Sequence, residues 1–288
     1  MATYSTKLFG ESNSTDYRMY FFSSCGPISP FHDIPLHHTT PNVFNMVVEI
    51  PRWTNAKMEI CKEEFMNPIK QDVKKGKLRF VNNVFPHKGY IWNYGALPQT
   101  YEDPSHVDAN TQAKGDNDPI DVCEIGNKIF PSGSVIQVKV LGILAMIDEG
   151  ETDWKVIAIN IQDPLAEKLN DIGDVEKLMP GFLDATREWF RNYKVPTGKP
   201  KNTFGFDEQY KGRDFALKMI AETHEQWKRL VLHQSESTGL FRQSVTNESS
   251  PYLVSYEDAK AELSKLPPFK QGKEVCDPAI EEIHFVPA

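Results

Sequence analysis

The sequence predicts a mainly β fold with flanking helices, an α+β architecture built around a small barrel. The first half of the chain is rich in short strand-like runs, and the second half becomes helical. Short strands with turn signals between them are typical of a small five-stranded barrel. At 288 residues the chain is long enough to bury a substantial core. We therefore expect a single barrel-centred domain over residues 1–288.

The strands are predicted from apolar and β-branched runs. Residues 43–50 form such a run, which Pro51 ends. In residues 57–60, alternation places Lys57 and Glu59 on one face of a strand and two apolar residues on the other. Further strands are predicted at 78–81, 120–125, 135–145 and 154–161.

The helices are predicted in the second half, at 174–178, 182–193 and 213–232. The last of these carries a stripe of apolar residues at helical spacing, which is typical of a core-facing helix: Phe215, Met219, Ile220, Trp227, Leu230 and Val231. After His233 the composition changes to Ser, Thr, Asn, Glu and Pro, with one helical patch near 259–265. This tail, about 233–288, is predicted to be a partly ordered wrap and not a second domain.

Composition and charge exclude several classes of function. The net charge of −8 argues against nucleic-acid binding, which needs a basic face. No apolar run approaches the roughly 20 residues of a membrane span, so no membrane association is expected. The start of the chain resembles neither a signal peptide nor a transit peptide, so a cytoplasmic location is expected. Four cysteines without CxxC spacing, Cys25, Cys61, Cys123 and Cys276, indicate reduced thiols that are mostly buried.

Three aspartates lie within the segment GDNDPID, at Asp116, Asp118 and Asp121. Like charges held this close repel one another, and a bound divalent cation removes the repulsion. Hard cations such as Mg²⁺ prefer oxygen ligands, so the segment predicts a metal site. The alternative is a solvated acidic turn, because Asp, Asn, Gly and Pro are ordinary turn residues.

A second group of residues favours the metal site. Asp148 and Asp153 bracket the turn-forming EGET, so a hairpin would bring both carboxylates to one end of two adjacent strands. Lys155 points to the same side of an extended strand as Asp153, and Lys57 with Glu59 repeats this pairing of a metal ligand and an anion donor. Further anion donors follow at Arg79, Tyr90, Tyr94, Tyr193 and Lys194. Taken singly, each is better explained by a surface ion pair or by packing, and only together do they indicate a set of metal ligands and anion donors.

Other metal and phosphate motifs fit poorly. An EF-hand beginning at Asp116 needs Gly at its sixth position and Glu at its twelfth, where the chain has Asp121 and Asn127. No GxxxxGK[ST] phosphate loop is present.

Four segments carry a specific family resemblance: NVFNMVVEIPRWTNAKMEI, KGKLRFVNNVFPHKGYIWNYGALPQT, GDNDPIDVCEIG and DEGETDWKVIAI. Together they resemble the family I soluble inorganic pyrophosphatases of the eukaryotic cytosolic type, from about residue 31 to about 232. The resemblance implies a closed five-stranded barrel of OB type with peripheral helices and terminal extensions. It also implies a homodimer and a magnesium-dependent hydrolysis of pyrophosphate to two orthophosphates.

The resemblance also implies a role for each site residue. It makes Asp116, Asp121 and Asp153 ligands of the activating Mg²⁺ ions, with Asp148, Glu59 and Glu49 serving further ions or supporting them, three to four ions in all. It makes Asp118 the general base that activates a water bridging two ions. The phosphate-binding set implied by it is Lys57, Arg79, Tyr90, Tyr94, Lys155, Tyr193 and Lys194, of which Lys57, Arg79, Tyr94 and Lys155 share in catalysis.

Two other functions stay open at the level of the sequence. One is an OB-type module that binds single-stranded nucleic acid, which the acidic residues and the net charge disfavour. The other is a scaffold that has kept the fold and lost activity, although every matching metal and phosphate position is filled. Mn²⁺ is an alternative to Mg²⁺, and Lys88, near the expected dimer contact at Trp53, departs from relatives that carry histidine there.

Overall fold

The computed structural model describes residues 3–233, 239–275 and 277–287, and its elements are mainly β strands with fewer helices. The strands are β1 (Ser5–Phe9), β2 (Arg18–Phe22), β3 (Pro27–Ile28), β4 (Val43–Ile50), β5 (Met58–Ile60), β6 (Ile69–Gln71), β7 (Val73–Lys74), β8 (Lys77–Leu78), β9 (Asn83–Val84), β10 (Asn93–Ala96), β11 (Lys114–Gly115), β12 (Asp121–Glu124), β13 (Val135–Asp148), β14 (Glu151–Asn160), β15 (Thr203–Phe204), β16 (Lys211–Gly212) and β17 (Ile283–His284). The α helices are α1 (Ile172–Leu178), α2 (Phe182–Asn192), α3 (Arg213–Val231), α4 (Tyr256–Leu263) and α5 (Pro278–Glu281). The predicted mainly β fold with helices in the second half is confirmed. Within the described ranges, no helix combines the length and apolar character that crossing a membrane requires.

The largest sheet places β12, β10, β4 and β13 side by side, and β14 pairs with both β12 and β13. All of these pairings are antiparallel except that of β12 with β14. The pairings therefore run from β14 through β12, β10, β4 and β13 and back to β14, a ring of five strands. The ring is uneven, because β13 and β14 pair over most of their length whereas β10 meets β4 only at Tyr94, Gly95 and Ala96.

Side chains on the two faces of the long β13–β14 hairpin pack into two separate hydrophobic cores. Val156 and its neighbours on one face pack with Met219 and Ile220 of α3. Ile157 and its neighbours on the other face pack with Trp189 and Phe190 of α2. Because both faces are buried, these strands read as nearly continuous apolar runs in the sequence.

A second sheet, ordered β1, β2, β6 and β5, lies beside the first. A buried carboxylate links the two, since Glu49 in β4 accepts a hydrogen bond from the backbone N–H of Ile60 in β5 at 2.7 Å. This contact brings the β5 residues Met58–Ile60 to the edge of the large sheet.

The C-terminal segment is tied back to the N-terminal half at several points. Asp33, only 6% exposed, accepts hydrogen bonds from the backbone N–H groups of Val245 and Thr246 at 2.9 and 3.1 Å and from the Ser244 and Thr246 hydroxyls. The backbone N–H of Phe241 donates to the Lys62 carbonyl at 2.7 Å. Strand β17 adds in parallel to β9.

The structure corrects some strand predictions. The strand predicted at 78–81 ends at Leu78 in β8. Beyond it, the backbone of Arg79 bonds to Asp72 and Lys57, whereas that of Val81 bonds to Asn55. Residues 79–81 therefore do not pair with one continuous strand. Strand β10 was not predicted, although it pairs with both β4 and β12. Of the cysteines, Cys61 and Cys123 are buried and Cys25 is exposed, while Cys276 lies outside the described residues.

Candidate active site

The GDNDPID segment forms a loop between β11 and β12 that is anchored on Glu102. The backbone N–H of Asn117 donates to the Glu102 carbonyl at 2.9 Å, and the N–H of Glu102 donates to the Asp118 carbonyl at 2.8 Å. Gly115 makes this approach feasible, since a Cβ there would lie 2.4 Å from the Glu102 backbone. Within the loop, the N–H of Asp118 donates to the Asp116 carboxylate at 3.0 Å.

Three carboxylates converge beside this loop. One oxygen each of Glu102, Asp116 and Asp153 lie within 4.8 Å of one another. Burial, together with the neighbouring charges of Asp118 and Asp153, raises the pKa of Asp116 well above its usual range. Burial raises the pKa of Asp153 to about 7 despite the opposing effect of Lys155.

This donor set fits a hard divalent cation. Glu102 is 3% exposed, and its Oε2 is buried without a hydrogen-bond partner. A buried carboxylate oxygen without a partner is costly, and a cation held by oxygen ligands satisfies it. Glu102 was not among the predicted ligands, since its surroundings, YEDPS, give no periodic or motif signal.

Asp121 opens β12 and faces a buried lysine. Lys155, 2% exposed, donates to Asp121 and Asp153, both at 2.5 Å, and to the Tyr94 hydroxyl at 2.8 Å. The Tyr94 hydroxyl donates to Asp121 at 2.5 Å. Asp153 and Lys155 therefore do point to the same side of β14, as their spacing predicts.

The predicted hairpin is present, with Asp148 at the end of β13 and Asp153 in β14. Its turn is Glu149–Gly150, and both residues have positive φ, 51° and 92°. Met146 pairs with Asp153, and Asp148 pairs with Glu151. The two carboxylates thus lie at one end of the hairpin.

Helix α2 brings two predicted anion donors to Asp148. Its buried residues, including Trp189 and Phe190, pack on Trp92, which fixes the direction in which the helix ends. Beyond that end, Lys194 donates to Asp148 at 2.6 Å and the Tyr193 hydroxyl does so at 3.2 Å.

Two further cations, Lys57 and Arg79, are each paired with an acid. Lys57 donates to Glu59 at 2.7 Å, and Arg79 donates to Asp72 at 2.8 Å. Tyr90, 3% exposed, packs its ring 5.1 Å from that of Tyr94, and burial raises the pKa of its hydroxyl.

A cavity of about 180 Å³ collects twelve of the fourteen predicted site residues. They are Lys57, Arg79, Tyr90, Tyr94, Asp116, Asp118, Asp121, Asp148, Asp153, Lys155, Tyr193 and Lys194. The other two, Glu49 and Glu59, line an adjoining cavity of about 50 Å³ that shares Asp118 and Asp121 with the first. Burial, with the charge of Asp121, raises the pKa of Glu49 well above its usual range.

Most acids of this region are matched by a lysine. The pairs are Glu59 with Lys57, Asp153 with Lys155, Asp148 with Lys194 and Asp118 with Lys62. Lys62 was not predicted, because a lysine before two glutamates in CKEEF is typical of a solvated face. The cavity therefore offers both oxygen ligands for cations and cationic donors for anions.

Comparison with known proteins gives a consistent result. The family model described as inorganic pyrophosphatase matches residues 46–228. The inorganic pyrophosphatase of Drosophila melanogaster is 55% identical over 99% of this chain and 85% of its own length, and that of Homo sapiens is 56% identical over 93% of both. The structure of inorganic pyrophosphatase from Schistosoma japonicum superimposes with a TM-score of 0.91 at 59% identity, covering 98% of this chain and 100% of that one.

Proposed function

This chain belongs to the inorganic pyrophosphatase family, and we propose that its aspartate-lined cavity hydrolyses pyrophosphate to two orthophosphates with Mg²⁺ as the cofactor. The enzyme class, a hydrolase of a phosphorus anhydride, follows from the family. One observation of the structure supports the cavity as the site: carboxylates and cationic donors alternate around a space of about 180 Å³. A doubly charged metal and a multiply charged anion each find partners there.

The proposed Mg²⁺ ligands are the carboxylates that line the two cavities: Asp116, Asp121, Asp153, Asp148, Glu59 and Glu49, with Glu102 added by its place beside Asp116 and Asp153. Three to four ions are proposed, and Mn²⁺ is proposed as a substitute because it accepts the same oxygen ligands. When bound, such ions would screen the charge of pyrophosphate and lower the pKa of a coordinated water.

Asp118 is the proposed general base, which takes the proton of the attacking water. Its side chain is 43% exposed, compared with 18% for that of Asp121, and it lines both cavities. Its carboxylate therefore reaches the solvent from which the nucleophile comes. Attack is proposed to proceed in line with the leaving phosphate, without a covalent enzyme intermediate.

The cationic and phenolic residues are proposed to bind the two phosphates. Lys57 and Tyr94 hold the phosphate under attack, and Arg79, Tyr193 and Lys194 hold the leaving phosphate. Lys155 and Tyr90 complete the rim. Donors set in place before the reaction stabilise charge as it moves to the leaving group. Arg79 offers two parallel N–H donors, a geometry that lysine lacks.

The Asp118→Asn variant tests the base assignment. We expect the variant to fold and to lose about 10³-fold in kcat, because the amide accepts no proton. Phosphate release from pyrophosphate, with and without Mg²⁺ and with triphosphate as a competing substrate, is the measurement. The exposed Asp184 of α2 provides the control variant Asp184→Asn, for which no loss is expected. Turnover of Asp118→Asn near that of the wild type would rule out the assignment.

The finer features of the molecule are part of the proposal. The ring of strand pairings supports a closed five-stranded barrel of OB type within a single domain over 1–288, its barrel and helices at about 31–232 and its wrap at about 233–288. A homodimer is proposed, with its contact near Trp53, which is 57% exposed. A cytoplasmic location is proposed, and fractionation of cells tests it, because one mouse relative at 52% identity is named mitochondrial.

A further inference from the structure

Lys62 joins the second sheet to the loop that carries Asp118. It lies two residues beyond the end of β5, and its side chain is 12% exposed. Its Nζ donates to the Asn117 carbonyl at 2.7 Å and forms an ion pair with Oδ1 of Asp118. One ammonium group thus contacts the backbone of Asn117 and the side chain of Asp118, two successive residues of the loop.

The backbone around Lys62 is itself fixed from behind. The Lys62 carbonyl accepts from the N–H of Phe241 at 2.7 Å. The side-chain amide of Asn67 donates to the carbonyls of Cys61 at 3.2 Å and Phe241 at 3.1 Å. The imidazole of His32 contacts the same Phe241 carbonyl at 3.1 Å. The backbone of Lys62 is therefore held in place, and the fold determines where its side chain meets Asp118.

This arrangement differs from an exposed ion pair. Such pairs contribute little, because both side chains must be ordered in a solvent that screens them. Here the lysine is mostly buried and makes two contacts, while the side chain of its partner Asp118 is 43% exposed and Asp118 is otherwise held through its backbone. The side chain that gains a fixed orientation from the pair is the proposed base.

Lys62 lines neither of the two cavities. It therefore does not belong to the proposed substrate-binding set. We expect its effect on the reaction to pass mainly through the two residues that it contacts, Asn117 and Asp118.

We propose that Lys62 is a positioning residue for the hydrolysis: it orients the Asp118 carboxylate through Oδ1 and fixes the Asn117–Asp118 backbone. This inference rests on the proposed role of Asp118 as the base. A base must lie within hydrogen-bond reach of the proton that it takes, and small misplacements cost large factors in rate.

The test compares three variants of the full-length protein with saturating Mg²⁺. Lys62→Met removes the ammonium group and is expected to lower kcat about tenfold while leaving KM for pyrophosphate within about twofold, since loss of orientation acts on the chemical step. Lys62→Arg retains a cation and is expected to keep at least about a third of wild-type kcat. Lys70→Met is the matched control, because Lys70 is also partly buried and paired, with Glu64, but lies outside the site.

Combining Lys62→Met with Asp118→Asn distinguishes the positioning role of Lys62 from the proposed role of Asp118 as the base. If Lys62 acts through Asp118, Lys62→Met adds less than about twofold to the loss in the Asp118→Asn background. A full tenfold loss in that background would overturn the inference, as would wild-type kcat in Lys62→Met or an equal loss in Lys70→Met. Unfolding midpoints for every variant identify a general loss of structure, which would also overturn it. Near wild-type turnover of Asp118→Asn alone would instead refute the base assignment.

Discussion

Glu102 is the carboxylate of the site whose environment most clearly calls for a cation. One of its oxygens accepts from the backbone N–H of Trp154 at 3.1 Å, whereas the other is buried without a partner. Burial and the nearby charge of Asp116 raise its pKa well above the usual range. A fixed carboxylate beside two others is well placed to hold a metal directly or through its water shell.

We expect Glu102→Gln to raise the Mg²⁺ concentration for half-maximal activity by about tenfold, because an oxygen ligand or its support is replaced by an amide. A Mg²⁺ titration of phosphate release is the measurement. The control is Glu124→Gln, since Glu124 is fully buried and accepts from Gly126, Asn160 and Asn93. That variant is expected to lose stability without a change in Mg²⁺ requirement. Equal Mg²⁺ requirements for Glu102→Gln and the wild type would contradict the role of Glu102.

His32 makes stability depend on pH. Its ring is fully buried, with Nδ1 accepting from the indole N–H of Trp227 at 3.0 Å and Nε2 donating to Phe241. Protonation would place a second N–H against the indole donor. Burial accordingly lowers the pKa of His32 to about 4.

The sign of the pH effect follows from the two pKa values. An unfolded histidine titrates near pH 6.5, so between about 6.5 and 4 the unfolded state binds more protons, and stability falls as the pH falls. From pH 7 to 5 the imidazole is expected to cost roughly 2 kcal/mol of unfolding free energy. Urea unfolding at both values, compared with His32→Gln, isolates this contribution from that of the carboxylates. An identical pH dependence in the variant would contradict it.

At the scale of elements, the loop of Asp116–Asp118 depends on its close approach to Glu102. A Cβ at Gly115 would meet the Glu102 backbone at 2.4 Å. Backbone cannot rotate away as a flexible side chain can, so one of the two segments must move.

We therefore expect Gly115→Ala to destabilise the protein by about 2 kcal/mol and to lower kcat, because the displaced loop carries the proposed base and proposed metal ligands. The control is Gly173→Ala in α1, where an added Cβ meets nothing within 4 Å and alanine favours the helix. Thermal unfolding and phosphate release are measured for both. Wild-type stability of Gly115→Ala would show that the loop adapts without cost.

Sequence patterns predicted the elements whose signal is local. The β13–β14 hairpin followed from two apolar runs around a turn, and α3 followed from its apolar stripe. Strand β10 was missed because three of its four residues, Asn, Gly and Ala, are depleted in strands, and its pairing with β4 and β12 comes from tertiary contacts. Glu102 and Lys62 were also missed because their positions depend on tertiary contacts. Only the fold brings Glu102 beside Asp116 and Lys62 beside Asp118. The functional roles of the other site residues came from the family resemblance.

At the scale of the whole molecule, one region exposes several aromatic side chains. Phe85 and Phe285 are 61% and 77% exposed and stack at 5.4 Å, next to the pairing of β17 with β9. Trp53 is 57% exposed, and its backbone bonds to Tyr90. Large exposed aromatic groups are typical of contacts between protein chains.

If the proposed dimer forms through Trp53, Trp53→Glu is expected to weaken self-association by at least about tenfold, because a buried aromatic contact is replaced by a charge. Sedimentation velocity over a range of protein concentrations measures this. Leu178→Glu alters an exposed apolar residue of α1 and is the control, with no change expected. A monomeric wild-type protein, or an unchanged dimer in Trp53→Glu, would contradict the proposal.

The ties between Asp33 and residues 244–246 affect how the chain folds as it is synthesised. Asp33 leaves the ribosome early, yet the groups that satisfy Oδ1 of its buried carboxylate are made more than two hundred residues later. Phe241, which fixes the backbone of Lys62, is equally late. A nascent chain that already contains every residue lining the proposed catalytic cavity therefore still lacks the contacts that satisfy Asp33 and hold the backbone of Lys62. We expect the segments around Asp33 and Lys62 to complete their folding during synthesis only after residues 241–246 have been made.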